Sequence, residues 1–274
     1  MVSTAVTPVR ELDRIAATHA HDLPQKDNLC GAFWGAVVLR AAGFEEVDGE
    51  SVDQDLVAER AGTLLPEGPP ESFVPAGASP RNDYRLRLPR VHEPARSGTA
   101  ARPLAAAVED LSARALACIP VAGPWNADRV AELVVVLGAQ DGTLALLANL
   151  RTGSLWGTRP SADVLLAHLA GATVTPPEPE WDVGHFVSLA AAMRGPRGAF
   201  VVVRDTYPTL GWNGYHLQPP RALAQALARG DGREGGVVCV VRREAEEDVR
   251  ARLAAAGYEL RFWDNGTPER EVQH

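Results

Sequence analysis

The sequence predicts an α+β fold: a helical N-terminal part with one buried helix, packed on a largely antiparallel sheet with flanking helices. Three observations predict it. Between Val9 and Ala61 apolar residues recur at helical spacing. Beyond Cys118 the texture changes to short β-rich runs: CIPVAG, AELVVVLG, TLALLANL, HFVSLAAA, AFVVVRD, GVVCVVRR and YELRFWD. AQDG and RGPRG read as hairpin connections, which set neighbouring strands antiparallel.

With 274 residues, 46% of them hydrophobic, the chain can bury a sizeable core. It reads as a single domain, 1–274, with a helical region at 22–65, a Pro-rich loop or lid at 66–103 and a helix-plus-sheet region at 104–264. Val9, Leu12, Ile15 and Ala16 space a short amphipathic helix over Val9–His21. Leu29–Ala42 is apolar on nearly every face, which suits a buried helix. Gly43 is placed to end it, and Asp27 or Asn28 to cap its start. Asp53–Ala61 is a third, amphipathic helix. From Leu65 to Pro103 repeated prolines interrupt any regular element, and loops of that length are either functional or disordered. Ala105–Ala117 reads as helix again.

The β half resembles itself. GTLALLANLRTGSLWG, from Gly142, aligns without a gap on GAFVVVRDTYPTLGWNG, from Gly198, at a constant offset of 56. Asn149 then falls on Asp205, Trp156 on Trp212 and, with three extra residues allowed upstream, Glu132 on His185. Each stretch runs on into an Ala- and Leu-rich helix. Duplication of a β-hairpin–helix unit, 125–171 and 181–230, is one reading; the other is that any two such units look alike.

A formal charge of −8, from 27 basic and 35 acidic residues with no long basic run, argues against a nucleic-acid or anionic-membrane surface. The expected partner is a peptide or a small acyl substrate. The first residues mix charges and lack the apolar core of a signal peptide, and no later stretch reaches spanning length, so a soluble, cytoplasmic protein is expected. Cys30, Cys118 and Cys239 are too scattered for a disulfide framework and lack the CxxC neighbours of a zinc site. His19 and His21 lie on different helix faces with no acidic cluster beside them, and no phosphate-binding glycine loop is present. Neither a metal nor a cofactor is expected.

The chemistry concentrates in QKDNLCGAFWG. Cys30 falls in the first turn of the buried helix, where unpaired N–H groups and the positive end of the dipole favour thiolate over thiol. Gln25, five residues upstream, can donate its amide to an oxyanion forming at the sulfur, with the Cys30 N–H as second donor. His185 opens a β run directly after a glycine and can serve as base. Asp205 ends the next run, so a hairpin brings the two to one end, where the carboxylate can fix the imidazole tautomer. Trp34, Tyr207, Trp212 and His216 are candidates to line a substrate cleft. Cys118 and Cys239, inside apolar runs, read as inert core thiols.

Gln, then Cys-Gly at a helix start, then Gly-His before an apolar strand, then Asp after the next strand: this set, from about Pro24 to about Arg242, resembles the papain-like superfamily and within it the C39-like peptidase branch. The resemblance implies a papain-like fold and a thiol enzyme with Cys30 as nucleophile, His185 as base, Asp205 as orienting group and Gln25 in the oxyanion hole. Trp34, four residues beyond the cysteine, departs from the papain-proper pattern. Water as second nucleophile makes a cysteine peptidase or amidase; an amine makes an acyltransferase or cyclase of the kind found in bacterial biosynthetic pathways. A non-catalytic binding protein on the same scaffold is the third reading.

Overall fold

The structure is a computed structural model that describes residues 4–9, 12–68, 74–138 and 140–269. The first half supplies β1 (Ala5–Pro8), α1 (Leu12–Asp22), α2 (Cys30–Ala41), the small hairpin β2 (Glu46–Val47) and β3 (Glu50–Ser51), α3 (Gln54–Arg60), the short parallel pair β4 (Leu65–Pro66) and β5 (Arg90–Val91), and α4 (Ala101–Leu111). The second half follows with β6 (Leu116–Ala122), α5 (Ala127–Gly138), β7 (Thr143–Arg151), α6 (Ala162–Leu169), β8 (Gly184–Arg194), β9 (Ala199–Arg204), β10 (Tyr215–Gln218), α7 (Pro220–Ala228), β11 (Gly236–Arg242) and α8 (Glu246–Ala255).

The main sheet has the order β10-β9-β8-β7-β11-β6, with β1 beside the far half of β8, and every pairing in it is antiparallel. Both of its faces are covered. Ala145 and Leu147 of β7 pack with α2, α3 and α4, whereas Leu146, Ala148 and Leu150 pack with α5, α7 and α8. A sheet buried on both faces has no polar side to show, which is why its strands read as continuous apolar runs. The result is the expected α+β class in three layers, helices, antiparallel sheet, helices.

That burial also misleads in one place. AELVVVLG is not a strand but most of α5, whose Val130, Leu133, Val134 and Leu137 form the buried stripe at helical spacing. Its β-branched run hides that period. The connection around AQDG therefore joins a helix to a strand, with residue 139 outside the described residues, while RGPRG does join β8 to β9, where Arg194 pairs with Ala199. YELRFWD is extended but pairs only through a bridge from Glu259 to Ala122. Because Glu132 lies on a helix and His185 on a strand, the two similar stretches are not copies of one hairpin–helix unit; β7 and β9 instead flank β8 on its two sides.

In the helical half, Asp53 caps α3 by accepting the Leu56 N–H at 2.8 Å. Pro103 falls inside the first turn of α4, where its missing N–H has no intrahelical partner to lose, so that helix starts earlier than its proline suggests and ends by Leu111. Helix α2 is buried along its length, and its close approach to β8 depends on Gly31: a Cβ there would lie 3.1 Å from the Phe186 ring. Gly43, at φ +101°, follows the last turn. Neither Asp27 nor Asn28 caps α2; Leu29 occupies the cap without a side-chain bond, and the Asp27 carboxylate instead accepts the Arg81 N–H at 3.0 Å.

Arg81 belongs to the Pro-rich segment, of which 69–73 lie outside the described residues. That segment is held against the chain leading into α2. Arg81 donates to the Pro24 carbonyl at 2.8 Å, Lys26 to the Asp83 carbonyl at 2.7 Å, and the Tyr84 hydroxyl to the Asp27 carbonyl at 2.9 Å. Among the described residues no helix is long and apolar enough to cross a membrane.

Candidate functional site

Cys30 is the first residue of α2, in the turn whose N–H groups have no intrahelical acceptor. It is 9% exposed and opens on a cavity of about 300 Å³ that Gln25 and His185 also line. His185 is the second residue of β8, whose start pairs with the end of β7, Leu150 opposite His185. On the other side of β8, Ser188 pairs with Arg204, so the chain leaving β9 passes the His185 end. Asp205 is the first residue beyond that pairing. The antiparallel connection thus does what the sequence implies, bringing histidine and aspartate to one edge.

The His185 Nε2 donates to Asp205 Oδ1 at 3.1 Å. The same oxygen accepts the Thr206 N–H at 2.7 Å and the Tyr207 N–H at 3.3 Å. With Nε2 committed to the carboxylate, Nδ1 is the ring nitrogen left for a second partner, and Cys30 lies near enough to act on the ring electrostatically. Burial alone would push the imidazole down, but the Asp205 carboxylate, reinforced by Cys30, raises it to about 10. Burial likewise works against the Asp205 charge, and His185 overcomes it, holding the carboxyl well below the usual range. Burial pushes the Cys118 and Cys239 thiols well up.

Gln25 is fixed by Thr206, whose hydroxyl donates to Gln25 Oε1 at 2.5 Å while the Thr206 carbonyl accepts the Gln25 N–H at 3.1 Å. The amide nitrogen is thereby turned away from Thr206, and it donates one hydrogen to the Lys26 carbonyl at 3.2 Å. The Thr206 oxygen also lies 3.3 Å from His185 Nε2, so one hydroxyl touches both the glutamine and the imidazole.

The four candidate cleft residues do not line this cavity. Trp34 is fully buried behind the site and stacks on His19 with ring centroids 5.0 Å apart. Tyr207 is buried against Trp181. Trp212 is 51% exposed on the turn between β9 and β10, away from the cavity. His216 is buried behind Asp205: its Nδ1 accepts from Gln218 Nε2 at 3.0 Å, which leaves the proton on Nε2, facing Asp205 Oδ2 at 3.6 Å. Proximity in sequence to Asp205 is what made Tyr207, Trp212 and His216 candidates, and the chain beyond β9 carries His216 behind the carboxylate and Trp212 out to the surface instead.

Other residues of the site escape a sequence reading. His19 donates from Nε2 to the Asp205 carbonyl at 2.6 Å, and burial lowers its pKa, so the ring sits neutral. Its signal was its position four residues after Ile15, on the buried stripe of α1. Thr206 gave no signal beyond adjacency. Trp181, whose ring meets His185 edge-on at 5.0 Å, lies four residues before the histidine in a proline-rich stretch. Among the described residues no group of three or more His, Cys, Asp or Glu is placed to hold a metal ion.

No curated protein matches the chain in sequence. Residues 9–264 match a family of unknown function, DUF6885, and over that span, nearly its whole length, the chain belongs to it.

Proposed function

We propose that the protein is a papain-like thiol enzyme of the C39-like kind, acting on a peptide or small acyl substrate through Cys30, His185, Asp205 and Gln25. The observation that carries this reading is the convergence on one cavity of a cysteine at a helix N-terminus and a histidine held by a buried carboxylate. The Cys30 thiol gives its proton to His185, and the thiolate adds to the substrate carbonyl. The carbonyl oxygen, now negative, accepts from the Gln25 amide and the Cys30 N–H. As the tetrahedral adduct collapses, the bond to the leaving amine or alcohol breaks, the leaving group takes the imidazolium proton, and a Cys30 thioester remains. A second nucleophile, water or an amine, gives its proton to His185 and displaces the sulfur as thiolate. Asp205 stays ionised throughout and keeps the ring oriented.

Alkylation with iodoacetamide between pH 5 and 9, with the modified residue located by peptide mass spectrometry, tests the reading. Cys30 is expected to react well below the free-thiol value of about 8.5 and to lose that reactivity in His185→Ala. Slow reaction, no faster than at Cys118 or Cys239 and indifferent to His185, would overturn it.

A further inference from the structure

The cavity wall carries three guanidinium groups, Arg151, Arg229 and Arg233, and among the described residues no Asp or Glu lines it. In a chain of formal charge −8 this is a local reversal of sign. Two of the three are balanced from behind. Arg151 pairs with Asp182 at 2.8 Å and with Asp231 at 3.1 Å, and Arg229 pairs with Asp231 at 2.8 Å. Among the described residues Arg233 has no carboxylate within ion-pair distance, so the wall holds one positive charge in excess.

The backbone is shaped to present these groups. Arg229 ends α7 at φ +49°, in the left-handed region that glycine favours, and its guanidinium lies beside Gly184, where a Cβ would approach Nη1 and Nη2 to 3.5 Å. Arg151 is the strand partner of the same glycine. Both therefore stand next to the residue that precedes His185. Arg233 lies flat on Gly266, where any Cβ would come within 2.5 Å of Nε, and Gly266 sits at φ +88°. A guanidinium that faces a cavity without a carboxylate partner can recognise a planar anion through parallel N–H donors.

We infer that the cavity binds an acyl substrate carrying a carboxylate, with Arg233 as its counter-ion and the scissile carbonyl toward Cys30. A single excess charge matches a carboxylate monoanion rather than a phosphate dianion. The inference rests on the acyl-transfer reading for the carbonyl but not for the anion, and the two separate experimentally. In the first arm, calorimetric titration of the Cys30→Ser chain compares glutaramate, which carries one carboxylate and one amide, its uncharged analogue glutaramide and inorganic phosphate, each repeated in Cys30→Ser/Arg233→Gln. Glutaramate is expected to bind best and to weaken about tenfold without Arg233. Equal binding of glutaramide, tighter binding of phosphate, or indifference to Arg233 overturns the carboxylate site. In the second arm, the ratio of iodoacetate to iodoacetamide alkylation at Cys30 is expected to fall about fivefold in Arg233→Gln; an unchanged ratio also counts against the site. Glutaramate binding with an inert Cys30 would sink the enzyme reading and leave the carboxylate site standing.

Discussion

The two strands that flank β8 are alike in sequence and opposite in what they bring to His185. On one side β7 contributes Asn149, whose Nδ2 donates to the His185 carbonyl at 3.4 Å and whose Oδ1 accepts from the Trp263 indole at 3.2 Å. On the other, the end of β9 contributes Asp205, whose carboxylate accepts a hydrogen bond from the imidazole itself. The neutral amide serves the backbone of the histidine and the charged carboxylate serves its ring. One strand pattern thus supports two chemistries, separated by which part of the residue between them each can reach.

The sharpest way to break this comparison is Asp205→Asn, which makes both flanking groups amides. The main effect opposing burial at His185 is then lost, and iodoacetamide alkylation of Cys30 at pH 6 is expected to slow about tenfold or more. The change should also cost about 3 kcal/mol of stability, since it leaves a buried imidazole without its charge partner. The pH dependence has a definite sign. Asp205, with its pKa depressed, contributes stability above its unfolded value of about 4, lost as the pH falls through the lower folded value. His185, raised to about 10, contributes stability that is complete below its unfolded value of about 6.5 and is lost as the pH rises toward its folded one. Urea denaturation should therefore show the largest gap between wild type and variant from about pH 4 to 6.5, narrowing above that window. A gap that does not change with pH would mean that the pair is not ionised.

The converse substitution, Asn149→Asp, is expected to cost about 2 kcal/mol by the same measurement, because it replaces a donor with a buried acceptor facing the His185 carbonyl. If it were neutral, Asn149 would be a filler and the comparison would lose one side. Thr206→Val is the mildest test. It removes the hydroxyl that touches both Gln25 and His185, at an expected cost of about 1 kcal/mol, and should slow single-turnover acylation by a peptide ester while leaving the pH midpoint of Cys30 alkylation in place. A shifted midpoint would instead assign Thr206 to the imidazole.

Cys30, His185 and Asp205 were legible because each sits at the end of an element whose period or composition marks it, Gln25 because it lies just ahead of Cys30, and the order of strand ends fixes that His185 and Asp205 meet. His19 and His216 were not, because each reaches Asp205 from outside the local pattern, one from α1 and one from β10. The same limit explains α5. Its sequence carries two compatible periods, and only the presence of a sheet face needing cover selects the helical one. Trp34 was misjudged as a cleft residue for a related reason: its nearness to Cys30 along the helix says nothing of His19, the partner that buries it.

Among its described residues the Pro-rich segment carries little regular structure beyond β5 and one 3-10 turn at Pro94–Arg96, yet it is anchored at two places that belong to the chemistry. Its Arg81, Asp83 and Tyr84 grip the Pro24, Lys26 and Asp27 backbone and side chains just ahead of Cys30, and its Pro94 and Ser97 form part of the cavity wall. The pocket and the approach to the nucleophile helix are therefore dimensioned by one piece of chain. Lengthening or shortening it between those anchors would alter how far the wall stands from the sulfur, which makes the spacing along this segment, rather than any side chain in it, a determinant of what size of molecule the cavity admits.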